Sequence, residues 1–221
     1  MRHLILGGVL AVITSVQPAL ARAADVTKAV PDAALLQANI SLQAMQQLTS
    51  RRTYKDLGFT SPEEVKAATL GAPLRIFMVR LDKLKEYAGS MDPRELLEDT
   101  NAVRYPVYVG KTARSGIVVR EVGKEWQMES IGSPALTKAL VSAARREEKA
   151  GASAAPQFVV NIPALNLYFV GLVEGSELTL SSAIDDPQFD LVAGKAVPAK
   201  DLFERLAAHA KQVETGPRVV D

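Results

Sequence analysis

Apolar residues recur at helical spacing over Ala34–Ser50, where Leu36, Ile40, Ala44 and Leu48 define one stripe beside a Gln-rich remainder. Three further helix starts share a local grammar. Ser61-Pro62-Glu63-Glu64 is a capping box with proline in the first turn. Asp92-Pro93-Arg94-Glu95 repeats it before Leu96 and Leu97. Ser133-Pro134 opens a longer helix, Pro134–Lys149, with Leu136, Leu140, Ala143 and Ala144 on its buried side. The last amphipathic helix is expected over Lys200–Val213, with Leu202, Phe203, Leu206, Ala210 and Val213 inward.

Between these helices the pattern changes to that of strands. Leu74–Leu81 is apolar on both sides apart from Arg75 and Arg80, as a strand covered on two faces would be. Tyr105–Val109, Arg114–Val122 and Glu125–Ile131 predict a meander with turns at Gly110–Ala113 and Gly123-Lys124. A two-residue turn at Gly123-Lys124 sets Glu121 opposite Trp126, Arg120 opposite Gln127 and Val119 opposite Met128. Tyr108, Ile117, Val119, Trp126 and Met128 then share a core face, and Trp126 is expected to be substantially buried. Val107, Val109, Val118 and Arg120 go to the other face. Phe158–Ile162, Leu165–Val173 and Glu177–Ala183 follow as strands, the last two joined by a loop of two or of three residues.

The resulting order predicts an α+β fold in which an antiparallel sheet, a meander plus a hairpin, is packed by helices. A helix–three-strand unit occurs at about 92–131 and again at 134–183, without a residue-level repeat. In topology alone, Ala34–Ile131 is similar to cystatin-like cone folds, and the helix–three-strand units resemble small secreted inhibitory or propeptide domains. No family motif accompanies the likeness, and it assigns no residue a role.

The N-terminus changes the picture of where such a domain works. Arg2 and His3, the apolar run Leu4–Val16 and the small-x-small site Ala21-Arg22-Ala23 have the pattern of a secretion signal. The run is too short to span a bilayer. The organisation expected is a signal peptide at 1–23, a flexible leader at 24–33 and one domain at 34–213. The domain divides into possible halves at 34–150 and 156–213, with a mobile tail at 214–221. Gly151–Pro156 is the best internal linker. No transmembrane segment is expected after signal removal.

Composition then excludes chemistry. Removing Arg2 and Arg22 with the signal leaves 24 basic against 25 acidic residues, a net charge of −1. Such a balance does not favour nucleic acid or an anionic membrane surface. The chain has no cysteine, which removes disulfides, thiol catalysis and Cys-ligated metals. An exported, cysteine-free chain of this size fits a periplasm, or a secreted location, without disulfide stapling. His209 is the one histidine after the signal, on the edge of an apolar stripe. No Ser-x-x-Lys, Gly-x-Ser-x-Gly or glycine-rich phosphate loop occurs.

What remains is charged and amide side chains. Asp185, Asp186 and Asp190 cluster in an acidic loop, and Glu125 and Glu129 share the meander's outer side with Arg120. A carboxylate pair in a cleft is the minimum for acid–base hydrolysis. Arg80, Arg104, Arg114 and Arg120 lie on or beside sheet strands and are the candidate ligand-binding set, provided two guanidiniums converge on one anion. Asn161 and Asn166 bracket Pro163 within apolar strands, where a buried amide either specifies a polar ligand or bonds the strand break. The expectation is an exported, non-catalytic binding or protein-interaction module without cofactor, whose partner is an envelope protein or a small ligand. The alternative is an envelope-polymer hydrolase using paired carboxylates.

Overall fold

Short strand-forming runs separated by glycine turns build one broad sheet. The computed structural model describes residues 23–49, 53–149 and 156–212, without the side chains of 147–149. The expected signal segment up to residue 22, most of the 151–156 linker, Val213 and the tail lie outside the described residues. The strands are β1 (Thr69–Leu70), β2 (Leu74–Val79), β3 (Leu97–Val109), β4 (Thr112–Val122), β5 (Glu125–Gly132), β6 (Phe158–Ile162), β7 (Leu167–Glu174), β8 (Glu177–Ser182) and β9 (Ala196–Pro198). They are ordered β5-β4-β3-β2-β6-β7-β8-β9, with β1 added against β3. The helices are α1 (Asp32–Leu48), α2 (Pro62–Lys66), α3 (Leu81–Glu86), α4 (Pro134–Lys149) and α5 (Ala199–Ala210).

This corrects the expected fold class. The protein is predominantly sheet with mixed pairing, and it is not a helix-packed α+β, cystatin-like arrangement. The overturning contact is β2 against β6, which pair in parallel from Arg75–Phe158 to Met78–Asn161. It fuses two antiparallel halves into one sheet that runs across both 34–150 and 156–213. Phe158 locks the junction: its ring packs edge-to-face on Phe77 at 5.3 Å and covers Gly171 on β7, where a Cβ would lie 2.4 Å from the ring. Leu97–Arg104 also pairs as strand, although its polar run Glu98-Asp99-Thr100-Asn101 shows no alternation. Asp92-Pro93 caps only a single 3₁₀ turn, Pro93–Leu96.

One face of the sheet is covered twice. α1 and α2 pack on Val103, Tyr105, Val107, Ile117 and Val119. α5 and α3 pack on Phe77, Val79, Phe158, Val160 and Phe169. Within the segment before α1, Val26 is buried in this second core. The opposite face carries α4, whose Leu140, Ala143 and Ala144 meet Leu74, Val159 and Val170.

α1 lies the other way up from the expected stripe. Leu36, Ile40 and Leu48 are exposed at 64%, 50% and 82%, while Ala34, Ala38, Ser41, Leu42 and Met45 face the sheet. Small side chains let the helix backbone come close to the strands, so the wider leucine stripe is left outside.

The β4–β5 turn is the two-residue Gly123-Lys124 turn, with Glu121 opposite Trp126, Arg120 opposite Gln127 and Val119 opposite Met128. The β3–β4 turn is shorter than expected, with Val109 opposite Thr112, and Arg114 is an extra residue between the pairs Tyr108–Ala113 and Val107–Ser115. That bulge exchanges faces: Val107 joins Ile117 and Val119, while Tyr108 turns to the α4 side, under the Arg145 guanidinium. Trp126 is half-buried and Met128 is 48% exposed, so the expected aromatic core face is only partly realised. The β7–β8 loop has two residues, Glu174 facing Glu177. No helix among the described residues is long and apolar enough to cross a membrane.

Candidate functional site

Two further bulges shape one end of the α4 face. On β3, Thr100 and Asn101 are extra residues between the pairs Ile76–Ala102 and Phe77–Asp99, and Asn101 has a φ of 53°. On β5, Glu129 is extra between Val118–Ser130 and Val119–Met128. Bulges twist and separate the strands locally. Beside them Ser133, with a φ of 52°, immediately precedes α4. A cavity of about 290 Å³ opens there, lined by sheet residues from β2 to β7 and by Ser133, Leu136 and Leu140 under α4.

The cavity's charged lining is Arg104, Arg120 and Glu129. In the β3–β4 register Arg104 faces Val118 and Ala102 faces Arg120, so the two arginines are diagonal neighbours on one face. Their states differ. Arg120 binds Glu129 through both prongs, Nε to Oε2 at 3.0 Å and Nη2 to Oε1 at 2.9 Å, and also donates to the Thr100 carbonyl. Both partners are more than a third exposed, so this pair forms the rim.

Arg104 lies deeper, 8% exposed. Its Nη1 donates to the buried Thr137 hydroxyl at 3.2 Å, and no described carboxylate stands within ion-pair distance. Burial therefore pulls its guanidinium below the ordinary arginine value, against weak support from Tyr168 and Glu129. A buried cation without a counter-charge costs several kcal/mol.

Asn161 completes the polar lining. It stands on β6 opposite Met78 on one side and Tyr168 on the other. Its Oδ1 is fully buried and has no hydrogen-bond partner. Ile76, Met78, Val118 and Val159 form an apolar floor between the two polar ends. The site thus offers a free guanidinium donor and a free amide acceptor across an apolar surface.

The four candidate arginines divide two and two. Arg80 is exposed and held bidentately by Asp82, at 3.0 and 2.8 Å. Arg114, the bulge residue, reaches Glu64 on α2 at 2.6 Å, on the α1–α2 side of the sheet. Unbroken alternation along Arg114–Val122 would put Arg114 and Arg120 on one face, and the bulge at Arg114 takes it out of that alternation. Among the carboxylates only Glu129 lines the cavity. Glu125 is exposed at the β4–β5 turn, and the loop aspartates are engaged locally: Asp185 accepts from the Ala193 amide, Asp186 caps Pro187–Phe189, and Asp190 meets Arg205. Asn166 adopts the left-handed conformation that ends the turn at Pro163, so the two asparagines have separate tasks. His209 stacks edge-to-face on Phe189 at 5.2 Å.

Sequence reading did not pick out Tyr168, Thr137, Ser130 or the role of Gly116. A Cβ on Gly116 would lie 2.6 Å from both Arg104 Nη1 and Thr137 Oγ1. The legible signals were Arg104 beside the first expected meander strand and Asn161 as an amide within an apolar strand. Compared with protein-family models, curated proteins and solved structures, the chain finds no match.

Proposed function

We propose that this chain is an exported, non-catalytic binding module that holds a small anionic ligand in the cavity between the sheet and α4. The observation that carries the reading is Arg104, a nine-tenths buried guanidinium that lines a cavity and forms no ion pair with a described carboxylate. An anion entering the cavity supplies the missing counter-charge, and a desolvated, charge-assisted hydrogen bond is among the stronger polar contacts available. Among the described residues Glu129 is the one carboxylate lining the cavity and is engaged by Arg120, so a binding role is favoured over acid–base catalysis.

Export rests on the N-terminal pattern of basic start, apolar run and Ala21-Arg22-Ala23. N-terminal sequencing of chain recovered from a periplasmic or culture fraction is expected to begin at Ala24. A chain that retains Met1 and stays in the cytoplasm overturns export.

Binding is tested by calorimetric titration of wild type and Arg104→Met with inorganic phosphate, acetate, hexanoate and succinate. At least one anion is expected to bind wild type and to lose at least tenfold in affinity on Arg104→Met. No binding by any probe, or binding indifferent to that substitution, overturns the reading.

A further inference from the structure

We infer that the ligand of this cavity is an amphiphilic monocarboxylate carrying one hydrogen-bond donor on its apolar chain, bound with the carboxylate at Arg104 and the donor at Asn161. The inference rests on the anion-binding reading above and specifies its chemistry.

The charge of the ligand follows from the lining. Arg120 is already satisfied by Glu129 in two-pronged geometry, leaving Arg104 as the single uncompensated charge. One anionic group balances it. A dianion such as succinate or doubly ionised phosphate brings a second negative charge toward Glu129. Arginine's planar fork also matches a carboxylate's two oxygens.

The donor follows from Asn161. Asn161 lines the cavity, and its Oδ1 is buried without a hydrogen-bond partner. A buried acceptor left without a donor carries its desolvation cost uncompensated. A hydroxyl or amide N–H on the ligand removes that cost, whereas an alkyl chain does not. Tyr168, opposite Asn161 on β7, lines the same wall.

The apolar middle follows from the register. Arg104 stands on β3 and Asn161 on β6, with β2 between them. Ile76 of β2 and Val159 of β6 are paired neighbours, and Val118 of β4 extends the same floor. Leu136 and Leu140 of α4 line it as well. A ligand touching both polar ends must cross this surface, and burying its methylenes there is favourable. Two strand spacings separate the β3 and β6 backbones, about 10 Å, and Arg104 (opposite Leu74) and Asn161 (opposite Met78) are also offset by four residues along β2, about 13 Å. Chain length therefore decides whether one molecule reaches both groups.

The test is a length series. Unsubstituted carboxylates from butanoate to octanoate are titrated into wild type beside their ω-hydroxy counterparts, with inorganic phosphate as comparison. The expected result is a hydroxyl preference of about five- to tenfold, the worth of one recovered hydrogen bond, at one or two adjacent chain lengths only. Asn161→Leu is expected to abolish that preference while retaining binding of the unsubstituted acid. Arg104→Met is expected to lose both.

Equal affinity of hydroxylated and plain acids at every length overturns the inference, as does phosphate binding more tightly than every carboxylate. In either case Arg104-dependent binding keeps the anion reading intact. Absence of any Arg104-dependent binding overturns both. Where Asn161→Leu does not fold, the length dependence in wild type decides alone.

Discussion

Gly116 on β4 lies directly under the guanidinium of Arg104: a Cβ there would come within 2.6 Å of Nη1. The bare backbone at this position is the space that Arg104 occupies when it reaches Thr137. Gly116→Ala is therefore expected to displace the guanidinium and cost about 1–3 kcal/mol, as overpacking of a filled site does. Thermal unfolding reads the stability. The titration series reads the accompanying loss of affinity. Unchanged affinity would separate Arg104's position from binding.

Arg104→Met tests whether the buried charge is kept for stability or for the ligand. Methionine fills a similar length with a flexible, apolar chain and removes an uncompensated cation. The unliganded variant is expected to be as stable as wild type, or more stable by up to about 2 kcal/mol in denaturant unfolding. A loss of more than about 2 kcal/mol would make Arg104 a structural support.

The orientation of α1 is tested by a contrast within one helix. Leu36→Gln and Leu48→Gln change exposed positions and are expected to shift stability by no more than about 0.5 kcal/mol. Leu42→Ala and Met45→Ala remove side chains buried against β3–β5 and are expected to cost about 2–5 kcal/mol each. The reverse order in chemical denaturation would put the Leu36–Leu48 stripe back inside.

Acid sensitivity is expected from Glu64. The Thr60 amide, donating to Oε2 at 2.7 Å, and then Arg114 hold its carboxyl below the ordinary value of 4.5. A depressed folded value means the ionised carboxylate favours the folded state. That stability is present above pH 4.5 and is lost as pH falls through the folded value. Glu64→Gln is expected to melt below wild type at pH 7, and the gap to close on acidification below pH 4.5. A gap independent of pH would remove the ionic contribution.

Where physics is local, the chain's own pattern settled the structure. Ser61 accepts from the Glu64 amide and Pro62 opens α2, because a capping box needs only four consecutive residues. α4 runs from Pro134 to Lys149 and α5 buries Leu202, Phe203, Leu206 and Ala210, because each has a strong apolar stripe. The Gly123-Lys124 turn set the β4–β5 register near the turn, up to Val119–Met128. Arg104 was legible only as one of four arginines on or beside strands, and Asn161 as an amide within an apolar strand.

Tertiary structure decided what depends on distant partners. The parallel pairing of β2 with β6 joins residues more than eighty positions apart and leaves no local trace, so the mixed sheet was not legible. The single extra residues Arg114 and Glu129 each moved the side-chain alternation by the pairing of two strands, which no single strand's pattern encodes, whereas the two-residue insertion Thr100–Asn101 kept it. That is why Arg114 left the candidate set while Arg104 and Arg120 met. The α1 stripe misled because a helix that packs closely on a sheet buries its small residues, and only the sheet beneath it determines which face those are.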